Sequence, residues 1–199
     1  MIEDNKKQVF DAVEATYRFH GSGNTLNPDS CFLRYPYSPG ARIIALPAHV
    51  GGAVQKSGIK WKSSFPGNRA SNLARASAVL ILNDPRTGYP LACIEASLIS
   101  ATRTAASAPV ATEHISPKPF RGILGVIGTE VIARTTVQWL LFRNWKFRKI
   151  SLCDVDRKEA EHFSKWLRDQ HNLQVNARWP RRDGRSWCHR QATQRAFAR

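Results

Sequence analysis

An apolar run from Leu124 to Ile127 delivers Gly128, and five residues later stands Ala133. In a Gly-x-Gly-x-x-Gly/Ala turn the first glycine makes the tight bend. The second lets backbone approach a pyrophosphate, and the third small residue lets helix and strand pack. Gly128 and Ala133 fit the first and third roles, but Glu130 occupies the second. Its Cβ crowds a phosphate, and its carboxylate repels one at a helix N-terminus that otherwise attracts anions. Asp154 closes the next apolar run, 26 residues after Gly128, where an acidic side chain accepts from the ribose of a dinucleotide. Gly128, Thr129, Val131, Ile132 and Asp154 are therefore candidate cofactor-binding residues. A plain β-α-β unit with a helix-capping turn shows the same pattern, and the residues alone leave both readings open.

A second set of residues lies earlier. Lys60 sits in the strand-like stretch GIKWKSS, where an ammonium is costly to bury without a partner. It either extends its head to water or serves a site. Its neighbour Lys62 is expected in solvent. Arg103 stands among small residues in SATRTAAS, and Arg42 opens the apolar run RIIALPA. Guanidinium groups grip carboxylates with two parallel hydrogen bonds, so Arg103 in a close-packed setting points to an anion. Arg42 by itself carries little weight. No CxxC pair occurs among the four cysteines, so no metal site is indicated.

These residues need elements to place them. Residues 6–20 have the spacing of an amphipathic helix ended by GSGN, and a Pro-rich connection follows. RIIALPAHV, GIKWKSSF and ASAVLILND read as strands. DPRTGYP is a turn leading to a fourth strand over 90–95. An alanine-rich helix over 96–115 carries Arg103 and, unusually, Pro109 in its interior, a position that costs roughly 3 kcal/mol or more. After PKPF the order becomes strand, helix, strand, helix, strand, ending in LQVNA, the first half of a doubly wound sheet. RGILGVIG reads as a buried parallel strand.

The 199 residues suffice for one domain or two small ones, and no apolar run reaches the length of a membrane span. With no signal-like N-terminus, a cytoplasmic location is expected. The net charge of +15 invites a nucleic-acid reading, but it is uneven: seven arginines and one aspartate lie between Arg178 and Arg199. No nucleic-acid-binding signature accompanies the charge, so neither nucleic acid nor membrane is expected as a partner.

Together, RIIALPAHVGG, SGIKWKSSFPGN, RASAVLILNDPRTGYPLACIEASLISATRTAASA and GILGVIG resemble the ornithine cyclodeaminase/mu-crystallin family. Within it, the likeness is to the diaminopropionate-forming dehydrogenases of siderophore pathways (staphyloferrin B type). The resemblance implies an α/β chain. A substrate-binding and dimerisation α+β domain would occupy residues 1–117, and the first half of an NAD-binding Rossmann domain residues 118–177. An Arg-rich tail outside the likeness would occupy residues 178–199. It further implies NAD as cofactor, a homodimer, Lys60 as the active-site lysine, and Arg42 and Arg103 as carboxylate-binding residues.

The implied reaction oxidises the secondary amine of N-(1-amino-1-carboxy-2-ethyl)-glutamate, yielding 2,3-diaminopropionate and 2-oxoglutarate. Ornithine cyclodeamination to proline and ammonia, or a non-catalytic crystallin-like remnant, are the alternatives. The family pattern continues through more sheet and a late catalytic aspartate. A truncated or frameshifted member is therefore expected, with poor solubility or dependence on a partner.

Overall fold

The computed structural model describes residues 3–116 and 122–178. Residues 179–199 of the Arg-rich tail lie outside the described residues. The architecture is mixed α/β, with one antiparallel and one parallel sheet. The chain divides into two compact units, Met1–Arg103 and Thr104–Arg199. The division falls inside the alanine-rich helix, ahead of the 117/118 boundary expected from the sequence.

The first unit begins with α1 (Lys6–Gly21) and short β1 (Thr25–Leu26). Then come β2 (Cys31–Arg34), β3 (Arg42–Val50), β4 (Lys56–Ser64), β5 (Ala76–Asn83) and β6 (Pro90–Glu95). The six strands form one antiparallel sheet, ordered β1-β3-β4-β5-β6 with β2 also on β3. The Pro-rich segment was read as a plain connection, yet it supplies β2. All four β2 residues are exposed, so no burial pattern marks them. What makes them a strand is pairing with β3, Arg34 opposite Arg42 and Phe32 opposite Ile44.

Because cross-strand partners share a face, the register sorts side chains without ambiguity. Arg42 pairs with Ser64, Ile44 with Lys62 and Leu46 with Lys60. Lys62 and Lys60 then pair with Ala78 and Leu80. The opposite face carries Ala45, Trp61 and Val79, with Pro47, Ile59, Ile81 and Cys93. Trp61 and Val79 on that face are exposed.

At Gly58 the β5 backbone leaves no room for a side chain. A Cβ added there would lie 2.4 Å from the Ile81 carbonyl oxygen and 3.4 Å from the Leu82 Cα. Backbone cannot swing aside as a side chain can. Gly58→Ala is therefore expected to spread β4 from β5 and lower stability by about 1–3 kcal/mol. Thermal unfolding checks this, and a midpoint within about a degree of wild type would contradict it.

α2 (Ser97–Ile115) follows. It runs unbroken through Pro109, which is fully buried. The sequence marks Pro109 as a costly departure, and here the helix tolerates it without ending.

The second unit contains β7 (Ile123–Ile127), α3 (Val131–Phe142), β8 (Lys149–Cys153), α4 (Arg157–His171) and β9 (Val175–Arg178). The three strands are parallel, ordered β7-β8-β9. Both crossovers step the same way along the sheet, and right-handed crossovers then put both helices on one face. Val137 and Leu140 of α3 and Phe163 and Leu167 of α4 meet Ile150, Leu152 and Val175 there. β8, in the middle, is the most buried strand. β7 was read as a buried parallel strand. Among the described residues it pairs with β8 alone, and its Ile123 and Ile127 are exposed. No helix among the described residues is long and apolar enough to cross a membrane.

Candidate active site

The cationic residues of the first unit converge. Lys60 is half-buried on β4, and its Nζ donates to Ser100 Oγ at 3.1 Å. Ser100 and Arg103 stand one helical turn apart on α2, so they share a side of that helix. The lysine's pKa is brought down from 10.5 to about 8. Burial is the largest cause, followed by the positive charges of Arg103 and then Lys62. Arg42 reaches the same neighbourhood from β3, since its charge helps depress Lys62. The three cations singled out from the sequence thus lie on one sheet face and the helix over it.

The placement of Lys62 in solvent is corrected. It is partly buried, and its pKa is lowered by burial first, then by Arg75, Arg103 and Arg42. Strand residues two apart share a face, so the spacing of Lys60 and Lys62 was itself the overlooked signal. Arg75 was missed altogether. Its Nη1 donates to buried Ser64 Oγ at 3.0 Å. It precedes β5 in sequence, and only the cross-strand register brings it near Arg42.

The second unit gathers Gly128, Thr129 and Asp154. Gly128 adopts φ +82, a left-handed conformation that glycine takes without steric cost. Its N–H donates to the Cys153 carbonyl at 2.8 Å, fastening the turn to the end of β8. Asp154 Oδ2 accepts from both the backbone N–H and the hydroxyl of Thr129, each at 2.6 Å. Oδ1 accepts from the Asp156 N–H at 2.9 Å. Partial burial pushes the Asp154 pKa up. The bonds from Thr129 and from the Asp156 and Val155 backbone outweigh it, so the net shift is downward. Asp154 is therefore a carboxylate at neutral pH.

Thr129 is fully buried and its hydroxyl is spent on Asp154, so this side chain shapes the turn from beneath. Val131 and Ile132 lie on the exposed first turn of α3. Arg134 ties the turn down by donating from Nε to the Thr129 carbonyl at 2.8 Å. Its guanidinium also pairs with Glu159 and lies over the Phe163 ring. Glu130 is the N-cap residue of α3, and its exposed side chain makes no capping bond. Among the described residues, no group of three or more His, Cys, Asp or Glu side chains could hold a metal.

The described residues thus form a cation-lined antiparallel sheet unit followed by a parallel β-α-β-α-β unit with a glycine turn. The chain belongs to the ornithine cyclodeaminase/mu-crystallin family, whose sequence model matches residues 1–183. It is 42% identical over 142 residues to the N-((2S)-2-amino-2-carboxyethyl)-L-glutamate dehydrogenase of Staphylococcus aureus (strain NCTC 8325 / PS 47), covering 69% of this chain and 42% of that protein. It is 29% identical to an alanine dehydrogenase of Archaeoglobus fulgidus, covering 82% of this chain and 48% of the relative. The chain thus spans less than half the length of these curated relatives.

Among solved structures, it is similar to the Thermococcus litoralis Δ1-pyrroline-2-carboxylate reductase in complex with NADH and L-proline. The TM-score is 0.78 at 26% identity, over 89% of this chain and 54% of the other. An archaeal alanine dehydrogenase dimer with bound NAD matches with TM-score 0.76 at 27% identity, over 86% of this chain and 51% of the other.

Proposed function

We propose that this chain carries the substrate-binding and NAD-binding elements of a dehydrogenase that oxidatively cleaves N-(1-amino-1-carboxy-2-ethyl)-glutamate to 2,3-diaminopropionate and 2-oxoglutarate. The observation that carries this reading is the cation cluster around Lys60. A substrate with several carboxylates suits it, and the 42% identical relative is named for a substrate of that kind. Ornithine suits it poorly, because its side-chain ammonium would meet lysine and arginine charges.

Arg42 and Arg103 hold carboxylates. Lys60, part of whose population is neutral near pH 8, takes or returns a proton at the reacting amine. Bound NAD would supply the acceptor for the hydride on the carbon of the C–N bond, leaving an imine open to hydrolysis by water. Gly128 and the α3 N-terminus would receive the pyrophosphate, and ionised Asp154 would accept from the adenosine ribose. Both features fit NAD, while Glu130 brings a negative charge to the phosphate position. The exposed apolar face around Trp61 and Val79 supports pairing with a second copy of the chain.

NADH fluorescence titration tests the cofactor half. Glu130→Gly is expected to tighten NADH binding about tenfold or more, since it removes both the carboxylate and the Cβ. Equal affinity in both proteins would remove Glu130 from the phosphate site. No binding to either would leave the remnant reading.

A further inference from the structure

The cluster contains more positive charge than one α-carboxylate needs. Arg42, Lys60, Lys62 and Ser64 share one sheet face. Arg103 comes over it from α2, and Arg75 is held at its edge through Ser64. Burial and neighbouring positive charges lower the pKa of both Lys60 and Lys62. Clustering like charges in a partly dry site is unfavourable, and an anionic ligand is the natural relief. Two centres can be distinguished. Lys60, with Ser100 and Arg103, lies under α2. Lys62 lies two residues along β4, where Arg75 acts on it most strongly of the charges, followed by Arg103, which both lysines share, and Arg42. Side chains two apart on a strand are separated by roughly 6–7 Å, close to the span between the two carboxylates of a short amino diacid.

We propose that Lys62, with Arg75 beside it, forms a second carboxylate subsite, so that this site selects amino acids bearing a distal carboxylate over their neutral counterparts. The proposal rests on the amino-acid reading above and assigns Lys62 a role in specificity that is distinct from the proton transfer given to Lys60. A single-carboxylate amino acid would occupy the Lys60 centre and leave the Lys62 centre uncompensated. A diacid would satisfy both.

L-glutamate and L-glutamine, nearly identical in shape, serve as probes in calorimetric titrations of the whole chain at pH 7. Wild type is expected to bind glutamate at least tenfold more tightly than glutamine. Lys62→Met is expected to reduce that preference to about twofold or less, the loss falling mainly on glutamate, and Lys62→Arg is expected to keep it. Far-UV circular dichroism confirms that each variant is folded. Equal affinity of wild type for the two probes, or a preference that survives in Lys62→Met, overturns the subsite alone. Binding of neither probe by wild type overturns the subsite together with the amino-acid reading beneath it.

Discussion

Arg103→Met is expected to weaken binding of an amino-acid ligand by roughly 10- to 150-fold and, in the same protein, to raise the pKa of Lys60 above about 8. The first effect follows from losing a charge-assisted hydrogen bond, worth about 1.5–3 kcal/mol. The second follows because the Arg103 charge is the largest electrostatic cause of the Lys60 depression, after burial. A bound carboxylate should also push the Lys60 pKa up. Ligand binding near pH 8 is therefore expected to draw protons from solution, which calorimetry in buffers of different ionisation enthalpy measures.

The linkage to stability has a definite sign. Between about pH 8 and 10.5 the unfolded chain holds the Lys60 proton more tightly than the folded chain does. Stability is therefore gained from this group as pH rises through that window. Below about 8 both states are charged, and the penalty of the buried ammonium is fully present. Lys60→Met should flatten this slope. A Lys60 pKa that stays near 8 in Arg103→Met would show that the two side chains do not share a site.

Phe163→Ala is expected to destabilise the second unit by about 3–5 kcal/mol, a large share of the 5–15 kcal/mol typical of a whole domain. Phe163 is 1% exposed at the centre of the cluster formed by both helices and the sheet. It also lies beneath the Arg134 guanidinium, 5.5 Å from ring centroid to Cζ. Arg134 in turn holds the Thr129 carbonyl. Removing the ring should thus loosen the Gly128 turn as well as the core, and NADH affinity should fall with stability. The Lys60 titration belongs to the first unit and serves as the control that this unit is still folded. Urea unfolding followed by tryptophan fluorescence measures the loss. A cost under about 1 kcal/mol would mean that the core repacks freely around the missing ring.

Most elements were readable because their signals are local. The run of alternating strands and helices after residue 122, the 90–95 hairpin strand and the alanine-rich helix were all expected, and all are present. β2 was not, because four exposed residues in a Pro-rich stretch carry no period of their own, and only the β3 edge makes them a strand. Nor was the exposure of Ile123 and Ile127 in β7, since an apolar run looks the same whether one face is covered or two.

By itself, the sequence determined the order of elements, the glycine turn with its ill-fitting Glu130, and the carboxylate after β8. It also determined the family likeness that singled out Lys60, Arg42 and Arg103. The tertiary structure decided which cations keep company. The pairing of β3 with β4 brought Arg42 to Lys62, Ser64 held Arg75 beside them, and α2 lowered Ser100 and Arg103 onto Lys60. It also spent the Thr129 hydroxyl on Asp154. The reason is one of range. Spacing along a strand or helix is set by a few neighbouring dihedral angles, whereas cross-strand register and helix docking depend on burial summed over segments far apart in the chain.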